Sequence, residues 1–426
     1  MKQIRRRERR TLNLYFCLII IVTGLYTNSL IKLDSFCFLA KQNTFSLTPY
    51  SPISITSDLD FGPTGYNFPG SGADIDPYII TGYNITTSDP NGIYIESTTK
   101  YFKITNCYIN ATNYGIYLSN VASGTASIIN NTCNFNGAGI YLYYSSFMTL
   151  INNTCNYNNQ GLYCFASTNT ILLNNTCEYN NVAFELDWSG TSHIENNTLN
   201  NNNEGIGMEF SGGTAIINNT CNNNANYAIS VNYENAYTIA NNTCFNNSDC
   251  IWIYLADSSI VENNNCKNNT YKGININQCT NINITSNICF GNNRGIYVWD
   301  SDSCIITYNL IQENKDYGVY VGATSDNNEI YHNTFVKNNL GGSSQANDNG
   351  TNNFWYNTNT LTGNFWNDFS GIGTYSIDGD ALTEDLYPLS DPSVPIISEY
   401  LTRLDLLIAF LVLYIIVILP CKKRKK

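Results

Sequence analysis

Glu185 and Asp187 are two residues apart, the spacing that places both on one face of an extended strand. Glu209 follows Asp187 by 22 residues, one period of a repeat that runs through the chain. Stacked in this way, the three carboxylates crowd like charge, which raises proton affinity or draws in a cation. Paired carboxylates of this kind can act as acid and base on a glycosidic bond. A second acidic set, Asp368, Asp378 and Asp380, supplies the hard oxygen ligands that calcium prefers. The simpler readings are a solvated acidic patch and an acidic loop. Copper is disfavoured: two histidines (His193, His332) and three methionines (Met1, Met148, Met208) are scattered without a cluster of the soft or imidazole ligands it needs.

Positioning these groups requires the repeat. Gly92, Gly115, Gly139, Gly161, Ala183, Gly205, Ala228, Cys250, Gly273, Gly295 and Gly318 recur every 22 to 24 residues. Each is followed by an apolar residue (Ile93 to Val319), and another apolar residue stands two positions further on, the period-2 signature of a strand with one buried face. A second strand ends in NNTC or a variant of it, so that Asn131, Asn153, Asn175, Asn197, Asn219, Asn242, Asn264, Asn287, Asn309 and Asn333 form a column. A unit of this length with no helix predicts an all-β protein, a single-stranded parallel β-helix with three strands per coil. Equivalent strands in successive coils then pair about 4.8 Å apart, and like residues stack on like. In that column asparagine would serve the turn, since it tolerates left-handed backbone angles, while stacked amides bond from coil to coil.

The outward positions form columns too. Tyr94, Tyr117, Tyr141 and Tyr163 lead to Glu185, then to Trp252, Tyr297 and Tyr320, with Trp299 in the neighbouring column. An aromatic stripe along a rod suits stacking against a linear glycan; the plainer reading is sheet-surface pairing. Seven cysteines share a column with Leu199, Ile311 and Phe335, which predicts buried thiols rather than disulfides between coils. The NNT turn creates sequons at Asn130, Asn152, Asn174, Asn196, Asn218 and Asn241, which are candidates for N-glycosylation if the body is exported.

With 69 asparagines in 426 residues and only 13% charged residues, an ordinary helical enzyme is nearly excluded, and 43% apolar residues argue against disorder. Eleven of the 21 Lys and Arg lie in the first ten or last five positions, leaving ten basic against 32 acidic residues between them. A body this acidic repels nucleic acid. The basic ends flank apolar runs. Residues 1–33 read as a signal peptide or signal anchor, 45–392 as the β-helix with a closing module near 352–392, 404–421 as a transmembrane helix and 422–426 as a basic tail. The positive-inside rule puts both termini in the cytoplasm, if the first segment is retained, and the body outside the cell membrane.

The repeat, together with FPGSGADIDPYIITGYNI (68–85), GNFWNDFSG (363–371), Asp378-Gly379-Asp380 and Tyr387-Pro388-Leu389, resembles the NosD-like right-handed parallel β-helix repeat family of the pectin-lyase-like superfamily. With its anchor the chain is similar to membrane-attached archaeal surface members. The resemblance implies a fold that hosts lyases, hydrolases and plain binding rods, with copper delivery historically attached to the group. The expectation is therefore a membrane-anchored, extracytoplasmic, non-enzymatic rod that binds glycan or a cell-surface protein, or builds the envelope. The alternatives are a polysaccharide lyase or glycosidase using Glu185, Asp187 and Glu209, and, third, a copper-related accessory protein.

Overall fold

In the computed structural model, residues 47–393 are described. Successive coils lie in register: Ile93 pairs with Ile116, Ile116 with Ile140, Ile140 with Leu162, Leu162 with Phe184 and Phe184 with Ile206. Period-2 patterning turns these residues inward, and all of them are buried. The strands that carry them make a 13-stranded sheet, and a 12-stranded sheet forms the second face. The third face is a four-stranded sheet at the N-terminal end and a six-stranded one towards the C-terminal end, linked by single-residue bridges from Thr132 through Thr154, Thr176, Thr198 and Thr220 to Thr243. Pairing within these sheets is parallel; the two-stranded sheet of Tyr375–Ser376 with Glu384–Asp385 is antiparallel. The result is a parallel β-solenoid with its core along the axis.

The asparagine column is present as a continuous ladder. Asn131 Nδ2 donates to Asn153 Oδ1 at 3.1 Å, Asn153 to Asn175 at 3.0 Å and Asn175 to Asn197 at 3.1 Å, and each donates also to a backbone carbonyl of an earlier coil. The division of labour differs from the expected one. The left-handed angle falls on the preceding asparagine, as at Asn130 (φ 58°), Asn152 (56°) and Asn174 (55°), which frees the column residue to point inward. A second ladder, unanticipated, runs through Asn136, Asn158, Asn180, Asn202, Asn224, Asn247 and Asn269 at the next corner. Together the two ladders satisfy corner amides that have no strand partner.

The cysteine column lies in the core as expected, with one difference. Cys250 and Cys266 form a disulfide within one coil, their Cα atoms 5.6 Å apart. The physical reason is the small-residue column, whose members face the NNTC residue 16 positions later. A Cβ added at Gly161 would lie 2.9 Å from Cys177 Sγ, and Gly139 stands likewise against Cys155. Where that column carries cysteine instead of glycine, the thiols meet. Both ends of the core are plugged by aromatics: Phe61 on Tyr78 and Phe102 at one end, Trp366 between Phe335 and Tyr375 at the other.

Candidate functional site: an acidic cleft on the outer face of the long sheet

Four strands build the site: Val182–Asp187, Glu204–Glu209, Tyr227–Asn232 and Asp249–Tyr254. Register sets Glu185 beside Gly207 and Asp187 beside Glu209; next come Ser230 and Asn232, then Trp252 and Tyr254. Gly207 and Ser230 interrupt the outward column of large side chains. Over them opens a cavity of about 420 Å³, lined by Glu185, Asp187, Glu204 and Glu209 together with Tyr227, Tyr233, Trp252 and Tyr254. The three carboxylates read from the sequence are thus brought together, on one face, across one rung.

Glu204 is a fourth member that sequence reading missed. It stands just before the small residue that opens its strand, in a column holding Tyr114, Gln160, Val182, Tyr227, Asp249, Lys272 and Arg294, where no type dominates. At strand entry the chain turns, so residues three apart meet. Tyr114 and Tyr117 have centroids 4.9 Å apart, and Glu204 Oε1 would lie 3.1 Å from a Cβ at position 207. That local bend was the available signal.

Burial, with Asp187 and Glu209 adding repulsion, pushes the Glu185 carboxyl up, against an opposing hydrogen bond from Gln160. Asp187 is raised by burial and by Glu209, although the Tyr163 hydroxyl donates to its Oδ2 at 3.1 Å. Glu204 is pushed from its ordinary 4.5 to about 7 by burial, then by Glu185 and Glu209, with Ser230 opposing. A raised carboxylate favours the native state below its unfolded pKa and loses that contribution as pH rises through the folded value. Thermal stability is therefore expected to fall between about pH 4.5 and 7. A Glu204→Gln variant should show a shallower fall over that window in melts followed by circular dichroism; an identical slope would contradict the assignment.

Lys272 and Arg294 do not reach the cleft. Lys272 Nζ lies 3.9 Å from Asp249 Oδ2 and 4.5 Å from the Tyr297 ring centroid. Arg294 Nε donates to Asp316 at 2.7 Å, and its guanidinium covers Tyr320 at 4.3 Å.

The aromatic stripe is in place but is not an open platform over its whole length. Tyr117, Tyr141 and Tyr163 stack on one another, with centroids 4.9 and 4.7 Å apart, and Tyr94 leans on Tyr117 at 5.2 Å and 35°, so neighbouring rings cover each other's faces and leave edges outward. Tyr297 stacks on Trp299 and on Tyr320 in the same manner. Trp252 is different: its neighbours along the column are Ser230 and Asn275, and its ring lines the cleft beside Tyr227, 4.4 Å away.

The remaining candidates lie apart. Asp368 accepts from Gln345 Nε2 at 2.7 Å and from the Tyr375 hydroxyl at 3.3 Å. Asp378 accepts from Ser343 at 2.6 Å and from Tyr317 at 3.4 Å. Asp380 engages Asn349 through its backbone N–H. Calcium needs several converging oxygens, and these three side chains have no common focus. Among the described residues no three His, Cys, Asp or Glu side chains are grouped to hold a metal. His193 contacts Glu195 at 2.8 Å, His332 lies between Tyr308 and Thr362, and Met148 and Met208 are buried. The six sequon asparagines, Asn130 to Asn241, are all exposed at one corner. The terminal apolar segments lie outside the described residues, and within those residues no helix is long and apolar enough to cross a membrane.

Two family models match. Residues 211–371 match "Periplasmic copper-binding protein (NosD)" and residues 91–244 match "Right handed beta helix region". No curated protein matches the sequence. Among solved structures, the Dettilon tailspike protein is similar at 12% identity, TM-score 0.47, covering 70% of this chain and 68% of its own. The periplasmic alginate epimerase AlgG is similar at 12% identity, TM-score 0.45, with 72% and 84% covered. PfbA, a surface adhesin of Streptococcus pneumoniae, is similar at 10% identity, TM-score 0.41, with 79% and 100% covered. Likenesses this distant say nothing about activity. Each family match covers less than half of the chain; together with the register of the coils they support a place for it beside the right-handed β-helix family.

Proposed function

We propose that the chain is a non-enzymatic, glycan-binding rod held at the cell surface by its terminal apolar segments, with the acidic cleft as its binding site. One observation carries the reading. The cleft over Gly207 joins hydrogen-bond acceptors, the carboxylates, to aromatic rings on Trp252 and Tyr227. Sugars present both matching surfaces, hydroxyl donors and apolar C–H faces. The acidic wall disfavours uronate and sulfated chains. A rod that binds a cell-surface protein, or that builds the envelope, would use the same exposed coils without needing this cleft.

A glycan array probed with the full-length chain tests the proposal. Trp252→Ala is expected to weaken retention on the order of tenfold, the loss of one aromatic contact. Tyr117→Leu, inside the covered stack, should leave it unchanged. Equal retention by wild type and Trp252→Ala would place the ligand elsewhere or remove it.

Glycosidic cleavage is favoured by one fact alone: Glu204, raised to about 7, can hold a proton near neutrality in the same cleft as Asp187, which would serve as the base. In that reading Asp187→Asn abolishes release of sugar fragments and leaves the rod folded. Failure of the wild type to cut any glycan it retains leaves the binding reading alone.

A further inference from the structure

Resting on the glycan-binding reading, we infer that the ligand of the cleft is an amine-bearing glycan, whose ammonium group supplies the counter-charge that the protein withholds. The cavity of about 420 Å³ receives four carboxylates and no Lys, Arg or His. The three ion pairs among the described residues, at His193, Lys272 and Arg294, all lie outside it. Self-repulsion at this density has to be relieved by protons or by a cation. A metal ion would need several of these oxygens to converge, and among the described residues no three such groups do.

The geometry therefore suits a spread-out cation, with several N–H and O–H donors distributed over a few ångströms. The opposite wall narrows the choice further. Trp252 and Tyr227 offer π surface, which attracts both an ammonium group and the C–H face of a sugar ring. Two lining side chains carry buried polar atoms without partners, Trp252 Nε1 and Asn232 Oδ1. The volume sits at the lower end of the roughly 300–1,000 Å³ usual for ligand pockets, room for one or two sugar units of a longer chain.

The test compares two probes of the same length and linkage by calorimetry on the full-length chain: β-1,4-linked glucosamine oligomers with free amines, and their fully N-acetylated counterparts. Measurements are made below the pKa of the amine. Hydrogen bonds to charged groups contribute about 1.5–3 kcal/mol, so the free-amine oligomer should bind about 10- to 100-fold more tightly. The quadruple variant Glu185→Gln/Asp187→Asn/Glu204→Gln/Glu209→Gln, near-isosteric and without charge in the cleft, should bind both probes alike. Equal binding of the two probes to wild type overturns the amine inference and leaves the glycan reading standing. A preference that survives in the quadruple variant also overturns it, because the selectivity then arises outside the cleft. If neither probe binds and no neutral glycan on the array is retained, both readings fall together.

Discussion

Replacing Asn197 by alanine is expected to cost the rod about 3–5 kcal/mol, far more than a single amide removed from a protein surface. Its Oδ1 accepts from the Asn175 backbone N–H at 2.8 Å and from Asn175 Nδ2 at 3.1 Å. Its Nδ2 donates to the Leu172 carbonyl at 2.9 Å and to Asn219 Oδ1 at 2.9 Å. All of these side-chain bonds are buried, so water cannot replace them. The orphaned groups cost about 1–3 kcal/mol each, and the Asn175 N–H loses its acceptor outright. The adjacent Asn196→Ala is the natural control: it is exposed, and it puts a residue with a Cβ but no amide into a left-handed turn (φ 56°) at a cost of only about 1–2 kcal/mol. Because each coil of a solenoid rests on its neighbours, the loss should appear as faster hydrogen exchange in the coils on either side of Asn197 as well as a lower urea midpoint. Equal urea midpoints for the two variants would show that the inner ladder contributes no more than the turn.

Trp366→Ala should be comparably severe, at about 3–5 kcal/mol for a buried aromatic removed without collapse of its site. The ring stacks 4.0 Å from Phe335 and 4.1 Å from Tyr375, and its Nε1 donates to Asp385 Oδ2 at 2.9 Å. Asp385 is itself buried, and burial holds its carboxyl above the usual range, so it is left short of a donor as well. The residue closes the end of the core, and its loss opens the apolar column of the last coil to water. Trp366→Phe keeps the stack and gives up only the hydrogen bond, about 1–2 kcal/mol. Thermal melts with a hydrophobic dye separate the cases: the alanine variant should bind dye below its transition and the phenylalanine variant should not. Dye binding by neither would mean that other closing residues seal the end by themselves.

The architecture was legible because one residue type at one spacing cannot be produced by local propensity. Isoleucine recurring with the glycine column forces equivalent strands into register, and the register then carries Glu185, Asp187 and Glu209 to one spot. What stayed hidden was hidden for physical reasons. The second ladder uses the same residue as every turn, and among 69 asparagines its column has little contrast. Glu204 reaches the cleft by a bend at strand entry that a straight period-2 count omits. The disulfide depends on which residues face each other across the coil, whereas the sequence period reports only which ones stack. Spacing likewise put the tyrosines in line without revealing that neighbouring rings would cover each other's faces. Asp368, Asp378 and Asp380 look like one cluster in the sequence, yet the Asp368 carboxylate accepts from Gln345, that of Asp378 from Ser343 and Tyr317, and Asp380 bonds Asn349 through its backbone.

The parallel sheets have a mechanical consequence. Their hydrogen bonds point along the axis of the solenoid, from each turn of chain to the next. Tension applied between the two ends therefore strains only the outermost turn at any moment, and the molecule pays out like thread from a bobbin. Each turn of about 22 residues yields roughly 75 Å of slack. A rod built this way lengthens in small steps under load, where a sandwich of comparable size would hold and then give way all at once.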